Sequence, residues 1–117
     1  MAPADGNLFA RLDGAGSAEI VSELLTRPGL RIERIVSTGQ TSPQGFWYHQ
    51  STDEWVIVVA GAARLDFDGD APCDLLPGDY LMIPAQKRHR VAWTHPALPT
   101  IWLALHMPPD KGRVQPP

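Results

Sequence analysis

The sequence predicts an all-β chain, folded as a single sandwich or barrel. Three observations carry that expectation. Strand-favouring residues come in short runs, of which "EWVIVVA" (54–60) is the plainest. Turn formers separate the runs, for the 117 residues include 12 prolines and 10 glycines. About eight runs follow one another at roughly 8–12-residue spacing, the pattern of a sandwich or barrel and not of alternating strands and helices.

The elements follow in order. "SAEIVSELLTRPG" places Ile20, Val21, Leu24 and Leu25 at helical spacing, yet its "RPG" also serves as a hairpin turn before the next strand. With strands on every side, the segment is read as a strand. "LRIERIVST" (30–38) alternates, with Leu30, Ile32 and Val36 on one face and Arg34 sharing it. "GFWYHQ" (45–50) is aromatic and strand-like. "EWVIVVA" is so continuously apolar that it reads as a strand buried on both faces, ended by Gly61. "ARLDFDG" (63–69) carries the hairpin signal Asp68-Gly69. "CDLL" and "YLMIP" flank a Pro77-Gly78 turn. "HRVAWT" (89–94) and "TIWLALHM" (100–107) are joined by the proline-rich "HPALP". The whole of 1–117 is one expected domain, its core at about 18–107, with a loose N-terminus and a Pro-rich C-terminal tail.

Composition narrows the function classes. A net charge of −3, with acids and bases interspersed, gives no basic stripe for nucleic acid and no basic amphipathic helix for a membrane surface. No apolar run is long enough to span a bilayer, and the first residues lack the pattern of a secretion signal. The single Cys73 excludes an internal disulfide and a thiolate zinc cage, and a cytoplasmic location is expected. "DFDGD" (66–70) begins like a calcium loop, but Ala71 and Pro77 stand where glycine and glutamate belong, so a hairpin turn is expected there. The basic turn "QKRHR", with Lys87, Arg88 and Arg90, reads as solvated.

The chemistry-bearing residues are His49, Glu54 and His89. Read as strand, the 45–50 segment points Trp47 and His49 the same way, and Glu54 opens the next strand across the short "QSTD" link. His89 opens a strand of its own, 35 residues after Glu54. At these residues the chain resembles the cupin superfamily. That family carries a first motif G-x5-H-x-H-x(3–4)-E-x6-G and a second, G-x5-P-x-G-x2-H-x3-N. Here the first reads His49, four residues, Glu54, six residues, Gly61, and the second reads Gly78, five residues, Pro84, then His89. The departures are Thr41 and Trp47 for the first motif's opening glycine and first histidine, and Gln86 and Trp93 for the second motif's glycine and asparagine.

The resemblance implies a jelly-roll β-barrel with a divalent transition metal (iron, zinc, nickel or manganese) held in its mouth by His49, Glu54 and His89. Two imidazoles and one carboxylate leave coordination positions open for a substrate or oxygen. His106 is a possible fourth ligand, but alternation leaves open whether Trp102, Ala104 and His106 or Ile101, Leu103 and Leu105 face inward. Trp47, Trp93, Trp102, Met82 and Arg34 are expected to line the pocket, with Arg34 as a clamp for an anionic group or a partner of Glu54.

Relatives in that superfamily include dioxygenases, isomerases, epimerases and lyases, so a metal-dependent reaction on a small polar metabolite is one expectation. A metal-free or degenerate cupin that only binds a small ligand is the other. A subunit of a larger complex with an unused cup is a third. The resemblance also implies a homodimer, paired through "TIWLALHM" or "EIVSELL".

Overall fold

A computed structural model describes residues 2–12 and 18–110. The described chain forms eight strands: β1 (Ile20–Arg27), β2 (Leu30–Ser37), β3 (Asp53–Ala60), β4 (Ala63–Phe67), β5 (Asp70–Leu75), β6 (Tyr80–Ile83), β7 (His89–Thr94) and β8 (Thr100–Met107). All pairings are antiparallel. They make a five-stranded sheet, ordered β1-β2-β8-β3-β6, and a three-stranded sheet, ordered β5-β4-β7.

The two sheets bury one core between their inner faces. Val56, Val58, Ile83, Trp102 and Ala104 come from the larger sheet, and Ala63, Leu65 and Leu75 from the smaller. Burying a side chain such as Leu65 contributes roughly 1.5–3 kcal/mol, so this cluster is what holds the sheets together. No described helix is long and apolar enough to cross a membrane.

The 38–52 connection departs from the sequence reading. Segment 45–50 is not a strand. Pro43 and Gly45 turn the chain there, with Phe46 N–H donating to the Pro43 carbonyl and Gly45 in the left-handed region. Its pairing with β7 is the isolated bridge Tyr48–His89. The two ladders therefore stay separate, and the observed architecture is two opposed antiparallel sheets, not a continuously closed barrel.

The apolar spacing of β1 that looked helical has a strand explanation. A bulge between Glu23 and Leu25 shifts the alternation by one, so Ile20, Ser22 and Leu25 are the half-buried positions. Gly61 ends β3 for a steric reason as well as a conformational one. Its φ is +82°, and a Cβ there would sit 2.6 Å from both the Pro99 carbonyl oxygen and the Thr100 Cα.

Faces settle the remaining placements. On β2, Arg34 points to the outside of the larger sheet, where its Nη1 donates to the Leu8 and Ala10 carbonyls. Arg34 is thus a buried tie for the N-terminal segment and not a substrate clamp. Its neighbours Arg31, Glu33 and Ile35 take the inner face, because successive strand residues alternate.

Candidate functional site

Strand register builds the site. His106 on β8 lies opposite Arg31 on β2 and opposite Glu54 on β3, and Glu54 in turn lies opposite Ile83 on β6. One cross-strand row therefore reads Arg31–His106–Glu54–Ile83. Alternation then resolves the question left open for β8, since Trp102, Ala104 and His106 face inward. The row below it, Glu33–Ala104–Val56–Leu81, supplies one more carboxylate. His89 reaches the same space from the smaller sheet.

These side chains line a cavity of about 220 Å³, whose walls include Ile35, Val56, Leu65, Ile83, Val91 and Trp102. Tyr48 and Gln50 face it from the connecting loop. That loop and the turn before β7 are pinned together. Tyr48 and His89 exchange backbone hydrogen bonds of 2.7 and 3.0 Å, Gln86 N–H donates to the Gln50 carbonyl at 2.7 Å, and Ala85 N–H donates to the Asp53 carboxylate at 2.8 Å. Gln86 holds φ +68° in that turn, a left-handed conformation that a glycine adopts without strain.

The proton inventory follows from the hydrogen bonds. His89 Nδ1 lies 2.9 Å from the Lys87 carbonyl. A carbonyl can only accept, so Nδ1 carries the proton and Nε2 is a bare lone pair. Burial holds the His89 ring below the usual histidine range, partly offset by the Lys87 hydrogen bond. Its Nε2 lies 3.7 Å from Glu54 Oε1, too far for a direct hydrogen bond but close enough for both to address one bound molecule. Glu54 is pushed up to about 7, chiefly by burial and further by the Glu33 carboxylate, with Arg31 pulling the other way.

His106 Nε2 lies 3.1 Å from Glu33 Oε1, and Arg31 Nε lies 3.2 Å from Glu33 Oε2. Glu33 is thus held between a guanidinium and an imidazole. Burial and Arg31 keep His106 below the usual range, against the pull of Glu33. With Nε2–H donated to Glu33, its Nδ1 is a lone pair, buried and without a partner.

The sequence-predicted residues separate here. Glu54, His89, His106 and Trp102 come together in the cavity. His49 does not join them, since it is exposed and lies outside the lining. The Trp47 ring packs against the Arg88 guanidinium, 5.7 Å away. Trp93 is on the outer surface, 42% exposed. Met82 pairs with Trp55 on the outer face of the larger sheet. The physical reason is parity: the Tyr48–His89 bridge turns Tyr48 and Gln50 inward, so Trp47 and His49 point away.

The motif spacing had allowed this outcome. With three residues before Glu54 in place of four, the two histidine positions fall on Tyr48 and Gln50. Arg31, Glu33, Tyr48 and Gln50 were missed. For Tyr48 and Gln50 the shorter spacing was the available signal, whereas Arg31 and Glu33 alternate with residues that looked like the core face.

A resident transition metal tests poorly against this donor set. Tyr48 and Gln50 stand where imidazoles would ligate, and Glu33 and His106 are engaged with each other. No three His, Cys, Asp or Glu side chains among the described residues form a group able to hold an ion. The placed residues do not fit a three-ligand metal centre.

Comparison with known proteins agrees with the architecture. The family model described as "Cupin domain" matches residues 34–106, more than half of the chain. A Ralstonia eutropha protein named "putative mannose-6-phosphate isomerase" superposes with a TM-score of 0.86 at 53% identity, covering 91% of this chain and 99% of that one. A cupin superfamily protein of Desulfitobacterium hafniense superposes at 0.71 with 22% identity, covering 91% and 94%. A Rhizobium leguminosarum protein of unknown function superposes at 0.69 with 16% identity, covering 92% and 99%; these last two speak to fold alone. No curated protein matches.

Proposed function

The chain belongs to the cupin family, and we propose that its cavity carries out an isomerase-type proton transfer on a small hydroxycarbonyl compound. The observation that supports this most is Glu54, an acid pushed up to about 7 inside the cavity, facing the bare Nε2 of His89. A group that titrates near working pH can both take and return a proton, which is what a 1,2-shift of hydrogen requires. In that reading the Glu54 carboxylate takes the proton from the carbon beside the carbonyl. It returns it to the former carbonyl carbon after an enediol has formed. His89 Nε2 takes the hydroxyl proton and delivers it to the other oxygen, so protons balance without a redox partner. Tyr48 and Gln50 orient the substrate, and the apolar walls exclude water. The name of the Ralstonia eutropha relative supports the same reaction class.

The test is solvent exchange. Protein incubated in heavy water with D-mannose and, separately, with mannose 6-phosphate should introduce deuterium beside the carbonyl of at least one of them, and Glu54→Gln should remove that activity. Exchange into neither sugar, or exchange indifferent to Glu54→Gln, would overturn the reading.

The reading also keeps the expected homodimer. Its support is the outer face of the larger sheet, where Trp55, Ile57, Tyr80, Met82, Leu103 and Leu105 gather and Tyr80 is 66% exposed. Light scattering of the full chain should give twice the monomer mass, and a monomeric mass would remove the dimer.

A further inference from the structure

The cavity has a sign. Among the described residues, Glu19, Glu33 and Glu54 line it against one guanidinium, that of Arg31, and Arg31 is already held by Glu33 at 3.2 Å. The other nearby cations are spoken for. Lys87 is bonded to Asp70, Arg88 to Asp68 at 3.0 Å and Arg90 to Asp66 at 3.5 Å. Arg34 faces the far side of its sheet. The basic turn "QKRHR" and the acidic "DFDGD" hairpin thus neutralise one another, and among the described residues they leave no spare positive charge for the cavity.

Its hydrogen-bonding character points the same way. The acceptors are three carboxylates and one imidazole lone pair, that of His89 Nε2. Donors among the described lining residues are few: Tyr48, Gln50 and the engaged Arg31. Phosphorylation replaces one hydroxyl donor of a sugar with a negatively charged group whose oxygens mainly accept, whereas the free sugar keeps that donor and stays neutral.

We infer that the cavity takes an unphosphorylated hydroxycarbonyl compound, an aldose or ketose presenting free hydroxyls, and discriminates against its phosphate ester. This rests on the proposed isomerase reading for the identity of the site, and it departs from the substrate that the relative's name carries. Glu33 and Glu19 are the specificity determinants: Glu33 orients His106 and neutralises Arg31, and the Glu19 carboxylate is anchored by the Ser37 hydroxyl.

Calorimetric titration of the full chain at pH 7.5 tests it, with D-mannose, mannose 6-phosphate and inorganic phosphate as probes. The free sugar should bind at least tenfold more tightly than its ester, and inorganic phosphate should not displace it. Glu33→Gln keeps an acceptor for His106 but frees Arg31. It should raise affinity for the ester by about threefold or more, as removing one carboxylate a few ångströms from the ligand requires. Equal or tighter binding of the ester by the unaltered protein would overturn the inference, and so would binding of neither sugar. The exchange experiment keeps the two claims apart. Exchange into the ester alone would sustain the isomerase reading and sink this one. Selective sugar binding without exchange would do the reverse.

Discussion

The two ends of the space between the sheets are built from the same strands and behave differently. At one end β3 contributes Val58, and the smaller sheet adds Ala63 and Leu75. That end is apolar and buried. A few residues further along the same faces the strands contribute Glu54 and His106, opposite one another in register. Here ionisable groups replace methyls, and the space opens into a cavity. The apolar end is where stability resides and the polar end is where the protein carries its burden of buried, unpaired polarity. Substitutions at the two ends should therefore fail in different assays.

The largest expected effect separates them most cleanly. Glu54→Gln should lower proton exchange by roughly 10²–10⁴-fold, the usual worth of a general base, while leaving the fold intact. Gly61→Ala, at the apolar end, should do the opposite. Its Cβ meets the backbone of Pro99 and Thr100, both at 2.6 Å, in a left-handed conformation, and the cost should exceed about 3 kcal/mol in urea unfolding.

The pH dependence of stability sharpens the comparison further. Glu54 titrates near its ordinary 4.5 when unfolded and at about 7 when folded. Between those values the folded state holds the extra proton, so raising pH favours unfolding. Stability should be greatest below pH 4.5 as far as this group is concerned, and should fall by about 3 kcal/mol as pH rises through 7. Glu54→Gln should flatten that slope, which guanidinium melts at several pH values would read. Gly61→Ala should shift the curve without changing its shape.

A smaller effect concerns the turn that delivers His89. Gln86 sits at φ +68°, and Gln86→Gly should stabilise the protein by about 1 kcal/mol by relieving the left-handed strain. An unchanged or lower midpoint would show that the Gln86 side chain compensates. The smallest effect is that of His49→Ala, which should leave exchange and stability within error, since His49 is exposed and outside the cavity. A marked loss of exchange in that variant would place the chemistry elsewhere.

Much of this was legible in the sequence, for reasons that differ by residue. The strands were readable because turn residues punctuate β-rich runs, and Gly61 and Pro77-Gly78 fall where strands end. Glu54 and His89 were readable because each lies at the start of a regular strand whose pairing fixes its direction. His49 was not, because its segment makes one bridge in place of a ladder, so nothing in the local sequence sets which of two neighbouring residues faces in. Arg34 misled in a related way. The apolar face of β2 looked like the core, but that face is the outer one, where Leu8 and Ala10 cover Arg34. With the faces exchanged, Arg31 and Glu33 went unseen. A covering segment distant in sequence leaves no trace in the alternation of a strand.

The most direct measurement is the titration of Glu54 itself, followed by carbon NMR of the side-chain carboxyl in the full chain. Its apparent pKa should lie near 7 and move down when Glu33→Gln removes the neighbouring carboxylate. A Glu54 that titrates between 4 and 5, as a solvated glutamate does, would contradict this expectation, for the cavity would then hold no group poised to move a proton both ways.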